Sequence, residues 1–322
     1  MKIKVEYLIL LAVIGLLSLY LLLHKTDKTH YQLPVLPPVT VDNLSRLTIA
    51  QAEDTLVLAK AGDRWEITPQ GYPITPSRIE DMLSVIEGLE LTAMVSESKN
   101  YDRYDLQPDK RIHVQAWSGD TLERDFAIGK AASSFRHTFV KVAGDDRVYH
   151  ARENFRSKFE QTVESLHDKQ VLAFEADTIQ AVKLTQGGTT TLISRTQAPV
   201  EVTPGAQDQP ATDQASEPVW QTPQGVKIDT AKIKTLLNTL ARLNCDKYLY
   251  DQTKDDLQDP VFTLTLQGLQ EYTLKLFARQ DAETGPYPAL SSENALPFLL
   301  PENRVKNIMV PIDDLKVQTD AS

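Results

Sequence analysis

The stretch WEITPQGYPITPSRIEDMLSVIEGL at residues 65–89 returns in altered form as WQTPQGVKIDTAKIKTLLNTLARL at residues 220–243. Each copy begins with a tryptophan, continues to Pro-Gln-Gly and then carries apolar residues at identical intervals, 154 residues apart. The apolar residues are Ile74, Ile79, Met82, Leu83, Ile86 and Leu89 in the first copy, and Ile228, Ile233, Leu236, Leu237, Leu240 and Leu243 in the second. Because solenoid units recur roughly every 20–50 residues, a repeat this long predicts a duplicated domain.

Each copy has the pattern of a mixed α+β domain. The apolar spacing of 3, 4 and 7 predicts a core-facing helix, which opens at Thr75-Pro76 in the first copy and runs from Asp229 or Thr230 to Asn244 in the second. The flanking segments alternate as antiparallel strands do. The predicted strands are 44–50, 55–59, 111–117, 122–128, 138–142 and 147–150, then 182–184, 190–194, 261–266, 272–277 and one near 298–300. The expected fold is therefore an N-terminal transmembrane helix followed by two tandem homologous α+β domains with mainly antiparallel sheets.

The predicted boundaries follow from this repeat and from changes in composition. We assign residues 1–30 to a cytoplasmic stub and membrane anchor, 31–40 to a proline-rich spacer, 41–167 to the first repeat, 178–315 to the second and 316–322 to a tail. The spacer should be stiff and hold the first repeat away from the membrane. The second repeat contains an insertion, 198–218, rich in Pro, Ala, Gln and Asp, which predicts a disordered loop at a hairpin tip.

The N-terminal segment from Tyr7 to Leu23 carries no charge. As a helix it would span about 26 Å, close to the roughly 30 Å of a hydrocarbon core. The run ends in leucines before His24 and Lys25, without the small residues of a cleavage site, which favours an uncleaved anchor over a signal peptide. Its short N-terminal flank favours a cytoplasmic stub in a bacterial inner membrane, with residues 24–322 in the periplasm.

The overall charge narrows the range of partners. The chain has 34 basic and 44 acidic residues, a formal net charge of −10, which argues against nucleic-acid binding. Cys245 is the single cysteine, so the chain forms no internal disulfide. It lies beside the apolar face of the second predicted helix, which favours an inert, partly buried thiol.

Two of the six histidines have positions that suggest chemistry. His113 and His137 lie on predicted strands and could come close together as metal ligands or general bases. The simpler interpretation, which we favour, is two strand histidines on a solvated face. No histidine has the spacing of a known metal motif.

Four other patterns resemble functional sites in part, and each has a simpler structural explanation. Gly129-Lys130-Ala131-Ala132-Ser133 resembles part of a phosphate loop but lacks the earlier glycine, and Ser133-Ser134 is not in a nucleophile elbow. The cluster of Asp251, Asp255, Asp256 and Asp259 lacks the spacing and glycine of a calcium loop. Trp65 and Trp220 fit core packing better than paired ligand contacts. We therefore predict no catalytic, cofactor-binding or metal-binding residue.

Several motifs together resemble a bacterial membrane-anchored family known as domain of unknown function 4340. They are the anchor, the W-x-x-x-P of Trp65 to Pro69, Tyr104-Asp105-Leu106-Gln107-Pro108, Val114-Gln115-Ala116-Trp117, Phe126-Ala127-Ile128-Gly129-Lys130, Phe139-Val140-Lys141 and Val148-Tyr149. The resemblance covers most of residues 41–310. Genes of that family often lie beside those of ABC-type exporters and of proteins like the gliding-motility auxiliary component. The resemblance thus implies an extracytoplasmic accessory subunit, with an ABC permease and ATPase as partners, and it supplies no catalytic residues.

Three functions follow as hypotheses. The leading one is a non-enzymatic accessory or scaffold subunit of an ABC-type export or surface-assembly complex. The second is a periplasmic module that binds a lipid, glycan or peptide between its two repeats. The third is an envelope hydrolase, which requires His113 or His137 to meet a carboxylate in a pocket.

Overall fold

The computed structural model describes residues 12–20, 31–196, 219–279 and 285–317. The chain divides into two compact units, Met1–Val163 and Glu164–Ser322. The predicted insertion 198–218 and the end of the predicted tail lie outside the described residues. Of the predicted membrane span, residues 12–20 are helical and the remainder also lies outside them. Among the described residues, no helix has both the length and the apolar character needed to cross a bilayer.

The first unit is built on one nine-stranded sheet. Its order is β4-β3-β2-β1-β6-β7-β8-β9-β5, and the pairings between neighbours are antiparallel. The strands are β1 Arg46–Gln51, β2 Asp54–Ala61, β3 Arg64–Thr68, β4 Tyr72–Pro73, β5 Leu91–Ser96, β6 Ile112–Ser118, β7 Thr121–Ala131, β8 His137–Val142 and β9 Val148–Arg152. Its helices are α1 Pro76–Glu87, α2 Arg156–Phe159 and α3 Val163–Leu166, the last at the boundary of the units.

The second unit has a nine-stranded sheet with the same order of strands, β14-β13-β12-β11-β17-β18-β19-β20-β16. A separate strand, β10, pairs with β15. The strands are β10 Gln170–Ala173, β11 Ala181–Gln186, β12 Thr189–Thr196, β13 Val219–Gln221, β14 Lys227–Ile228, β15 Arg242–Asn244, β16 Lys247–Tyr248, β17 Phe262–Gln267, β18 Glu271–Leu276, β19 Tyr287–Ser291 and β20 Phe298–Leu300. The helices are α4 Thr230–Leu240, α5 Glu302–Ile308 and α6 Ile312–Leu315. The prediction of a mixed α+β fold with mainly antiparallel sheets is confirmed.

The long helix of each unit begins where the sequence predicts. Pro76 occupies the first turn of α1, where its missing N–H costs nothing. In α4, the Asp229 carboxylate accepts hydrogen bonds from the backbone N–H groups of Ala231 and Lys232, which satisfies two donors that the first turn leaves unpaired. Both helices bury the apolar stripe that defined the repeat. The buried residues are Ile79, Met82, Leu83, Val85 and Ile86 in α1, and Ile233, Leu236, Leu237 and Leu240 in α4.

Alternation along the strands gives each sheet two unlike faces. In β1, Leu47 and Ile49 are fully buried, whereas Thr48 and Ala50, which alternate with them, are half-buried. Since successive side chains point to opposite faces, Leu47 and Ile49 belong to the inner face and Thr48 and Ala50 to the outer face. The half-buried outer face of the first sheet positions the candidate site.

Two predicted details differ from the structure, and one set of contacts was not predicted. The second long helix ends at Leu240 rather than Asn244, because residues 242–244 form β15 and pair with β10. For the same reason residues 170–173 belong to the second unit, whereas the sequence suggested a junction at about 167–177. The spacer also packs on the first unit: Val39 is 6% exposed, and the Pro37 carbonyl accepts a hydrogen bond of 2.8 Å from Arg124 Nη2.

Candidate functional site

The outer face of the first sheet brings a histidine and a carboxylate together. Nε2 of His113 on β6 lies 2.7 Å from Oδ1 of Asp125 on β7. Gln115 Nε2 donates to the other carboxylate oxygen of Asp125 at 2.9 Å. The side chains of His113 and Asp125 are 35% and 19% exposed. The pair is therefore accessible but partly shielded, and the amide of Gln115 fixes the orientation of the carboxylate.

The same face continues toward β1 with an aromatic and a cationic side chain. The Arg46 guanidinium carbon lies 4.8 Å from the centre of the Trp117 ring, within the range of a cation–π contact. Arg46 and Trp117 are direct cross-strand partners, so the register of β1 and β6 produces this contact. We call Arg46, His113, Gln115, Trp117 and Asp125 the outer-face cluster.

The corresponding positions in the second sheet carry different chemistry. Gln115 pairs with Thr48 and Asp125 across the first sheet, and Thr265 pairs with Lys183 and Thr273 across the second. Thr48 and Lys183 are each the third residue of their strands, so Thr265 and Thr273 correspond to Gln115 and Asp125. The outer-face cluster is thus a property of the first unit.

His137 does not join His113, because β7 separates their strands. Its ring stacks on that of His150, with 5.2 Å between centroids. Phe139 lies 4.9 Å from His150 and 4.9 Å from Tyr104, which extends the contacts to four rings. Burial and the nearby His137 lower the pKa of His150. The possibility that His113 and His137 share a site is therefore wrong.

The glycine of the phosphate-loop-like sequence has a packing role. Gly129 lies within strand β7, and a Cβ atom there would lie against the backbone oxygen of Tyr104 and the side chain of Leu106. The absence of a side chain lets residues 101–106 pack onto this strand. Ser133 and Ser134 follow in the exposed turn before β8. These residues form a strand and its turn rather than a loop that cradles phosphate.

A buried polar cluster lies in the second unit. His167 is 2% exposed and stacks on Tyr248 at 4.0 Å, and its Nδ1 lies 3.0 Å from the Tyr250 hydroxyl. Burial lowers the pKa of His167 to about 4 and raises the pKa of Cys245 to about 11. The Tyr248 hydroxyl donates to the Asp168 carbonyl at 2.7 Å. Burial thus favours the neutral forms of His167 and Tyr248. Cys245 is buried, and its raised pKa favours the protonated thiol.

The remaining predicted features lie in structural positions. Asp256 accepts hydrogen bonds from the backbone N–H and the hydroxyl of Thr253. These bonds cap a short 3₁₀ turn, and they lower the pKa of the Asp256 carboxyl group. Trp65 and Trp220 lie in the cores at 8% and 5% exposure. Within the part of the chain that the structure describes, no three His, Cys, Asp or Glu side chains come together as metal ligands.

Comparison with known proteins identifies a family. The model of the family described as domain of unknown function DUF4340 matches residues 65–261, more than half of the chain, from β3 to the residue before β17. The chain belongs to this family. Searches of curated proteins and of solved structures gave no match.

Proposed function

We propose that this member of the family is a membrane-anchored extracytoplasmic accessory or scaffold subunit of an ABC-type export or surface-assembly system. In this proposal the uncharged segment from Tyr7 to Leu23 anchors it in the inner membrane, and it acts by binding a protein partner rather than by catalysis. The observation that carries the proposal is the outer-face cluster, which one sheet has and its counterpart lacks.

We also propose that the two units arose by duplication. The shared order of strands supports this, as do the intervals along the chain. β11 and β12 begin 135 residues after β1 and β2, and the interval grows to 154 at the helices, after the insertion. Two copies of one fold allow one sheet to keep a structural role while the other acquires a binding surface.

The composition of the outer-face cluster is that of a protein interface. Tryptophan and arginine are the residues most enriched among binding hot spots. Trp117 and Arg46 lie side by side on this face, and His113, Gln115 and Asp125 add groups that can hydrogen-bond a partner. A partner could thus bury an aromatic centre surrounded by polar groups, as interfaces generally do.

The test is cross-linking in the native host. A photo-reactive amino acid replaces Gln115 in the full-length protein, and the corresponding Thr265 is replaced in a matched control. Recovery of an ABC permease or its ATPase from the first variant, and not from the second, would support the proposal. Failure of both to capture any transport component would overturn the accessory role, and equal capture by both would overturn the assignment to the first sheet.

One observation favours a second candidate, an envelope hydrolase. A carboxylate that orients a histidine is two thirds of a catalytic triad, and His113 and Asp125 are 2.7 Å apart. Among the described residues, however, the His113 side chain hydrogen-bonds Asp125, and no hydroxyl or thiol hydrogen-bonds the ring. Hydrolysis of p-nitrophenyl acetate by the purified protein, abolished in His113→Gln, would favour this candidate. Equal rates for the two proteins would reject it.

A further inference from the structure

A buried cation without a counter-ion lies in the first unit. Arg124 on β7 is 5% exposed, and Nη2 donates to the Pro37 carbonyl at 2.8 Å. Its Nε is fully buried, has no acceptor within the described residues, and no carboxylate there lies within ion-pair distance of the guanidinium. Burial consequently lowers the pKa of Arg124, and nearby Glu123 opposes this only partly. An unsatisfied buried charge is costly, so its retention calls for an explanation.

The second unit has an uncharged aromatic side chain at the same place. Ala116 pairs with Arg124 across the first sheet, and the corresponding Leu266 pairs with Tyr272. The Tyr272 ring packs against Phe174 with 5.1 Å between centroids. The fold therefore accepts an aromatic side chain here and does not require a buried arginine.

The segments that cross the two sheets also differ. In the second unit this segment is β10, which pairs with β15, and its Val171 carbonyl accepts a hydrogen bond of 2.6 Å from the Ser291 hydroxyl. The corresponding segment of the first unit, 135 residues earlier, is Val35–Pro38. Its Pro37 and Pro38 have no backbone N–H group to donate a hydrogen bond to a neighbouring strand. It leaves a cleft where the second unit has a paired strand.

This cleft, which we call the Arg124 cleft, has a volume of about 470 Å³. That volume lies within the range of small-molecule sites, roughly 300–1,000 Å³. Besides Arg124, the lining contains three carboxylates, and its other residues are apolar or glycine. The lining comes from residues 34–37, 122–125 and 142–145.

Two of the three carboxylates in the lining are already engaged. Asp125 accepts hydrogen bonds from Gln115 and contacts His113. Asp145 accepts from Arg147 and from the Tyr149 hydroxyl, and these contacts hold its pKa well below the usual range. Glu123 lies near enough to oppose the lowering of the Arg124 pKa but forms no ion pair with it among the described residues, so the guanidinium keeps N–H donors for a further acceptor.

We propose that the Arg124 cleft binds a small apolar molecule that ends in a carboxylate, which accepts hydrogen bonds from the Arg124 guanidinium. A carboxylate matches the planar guanidinium with charge-assisted hydrogen bonds. The apolar part of the ligand would lie against Pro34, Leu36 and Val142. The inference does not depend on the scaffold role, and a fatty acid and an apolar peptide with a free C-terminus both have this chemistry.

The experiment uses the full-length protein in lipid nanodiscs and carboxyl-labelled ¹³C-octanoate, followed by NMR line broadening. The peptide arm uses acetyl-Leu-Val-Leu with a free carboxylate. Octylamine is the cationic control for octanoate, and the peptide amide is the neutral control for the peptide. We expect one of the two carboxylates to bind and both controls to fail. The arm that binds identifies the source of the ligand.

Two substitutions test the site itself. Arg124→Met keeps much of the side-chain volume and should weaken binding at least tenfold without loss of folding, because it removes a charge that has no partner. Arg195→Met in the second unit is the matched control, since Arg195 likewise donates to one backbone carbonyl, that of Asp177, at 2.9 Å. Ala143→Phe should block the cleft while leaving Arg124 intact.

Three results would overturn the proposal. Equal binding of octanoate and octylamine would show that the carboxylate is not recognised. Unchanged binding in both Arg124→Met and Ala143→Phe would place the ligand elsewhere. Absence of binding in the millimolar range for both carboxylates would mean that water satisfies the Arg124 guanidinium.

Discussion

The two sheets have the same order of strands, and their differences lie mainly outside the buried faces. In both units the inner face is apolar and carries one long helix, α1 or α4. On the outer faces, Gln115 and Asp125 of the first sheet correspond to Thr265 and Thr273 of the second. Burial on the inner face is sufficient for this fold, which leaves the outer face free to vary.

A second difference lies where the chain enters each sheet. The second unit closes this region with the β10–β15 pair, and the first unit leaves the Arg124 cleft. A strand buries its backbone groups by pairing, whereas a proline-rich segment cannot donate the same hydrogen bonds. Among the described residues, the first unit therefore holds both the outer-face cluster and a buried cation without a counter-ion, and the second unit shows neither.

The largest effect should come from truncating the corresponding core residues Ile86 and Leu240. Both are fully buried on the apolar stripe of their helix. We expect Ile86→Ala and Leu240→Ala each to lower the free energy of unfolding by about 2–5 kcal/mol, because each leaves a cavity. Hydrogen exchange should show the loss of protection in the sheet of the substituted unit. Equal loss in both sheets for either variant would show that the units unfold together.

The buried His167 should make the second unit sensitive to acid. Its pKa is lowered from 6.5 to about 4, so below pH 6.5 the unfolded chain takes up a proton that the folded chain does not. The free energy of unfolding should be unaffected above pH 6.5 and fall by roughly 3 kcal/mol between pH 6.5 and 4. Urea unfolding at a series of pH values measures this slope, which His167→Phe should reduce. A slope that His167→Phe leaves intact would assign the acid sensitivity to other groups.

Substitution of Gly129 should have a smaller effect, confined to the first unit. A Cβ at this position would overlap the Tyr104 carbonyl, so Gly129→Ala must displace residues 101–106. Overpacking of this kind typically costs about 1–3 kcal/mol. Gly88→Ala is the control. A Cβ atom at Gly88 would lie 3.1 Å from the Ser84 backbone oxygen, a much smaller overlap than at Gly129, and the φ angle of Gly88 is not positive. If Gly129→Ala were no less stable than Gly88→Ala, the close approach would not be needed for stability.

Much of the fold could be predicted from the sequence, because the inner-face residues have strict periods. The spacing of Ile79, Met82, Leu83 and Ile86 gave the first helix. The end of the second helix was missed, since Leu240 and Leu243 fit helical spacing and only pairing with β10 places residues 242–244 in a strand. The strands β5, β10 and β19 and the two-residue strands β4, β14 and β16 were also not predicted.

The candidate sites could be predicted far less well. His113 and Asp125 are 12 residues apart and meet only through the register of β6 and β7, which a bulge at Ala116 and Trp117 modifies. The alternation of residues in β6 places His113 on the half-buried face, and that signal was available. The burial of Arg124 has no signal in the sequence, because it depends on where residues 34–37 cross the sheet.

The smallest expected effect concerns the His113–Asp125 pair and sharpens the contrast between the outer faces. Partly exposed polar pairs of this kind contribute about 0.2–1 kcal/mol, so a double-mutant cycle of His113→Gln and Asp125→Asn should give a coupling energy in that range. The same cycle with Thr263→Val and Thr273→Val should give a coupling energy near zero, since no hydrogen bond is seen between those two side chains. Urea unfolding of the single and double variants measures both. A pair this weak has little value for the fold, so a measured coupling well above 1 kcal/mol would make it a structural contact and remove the reason to place a binding function on this face.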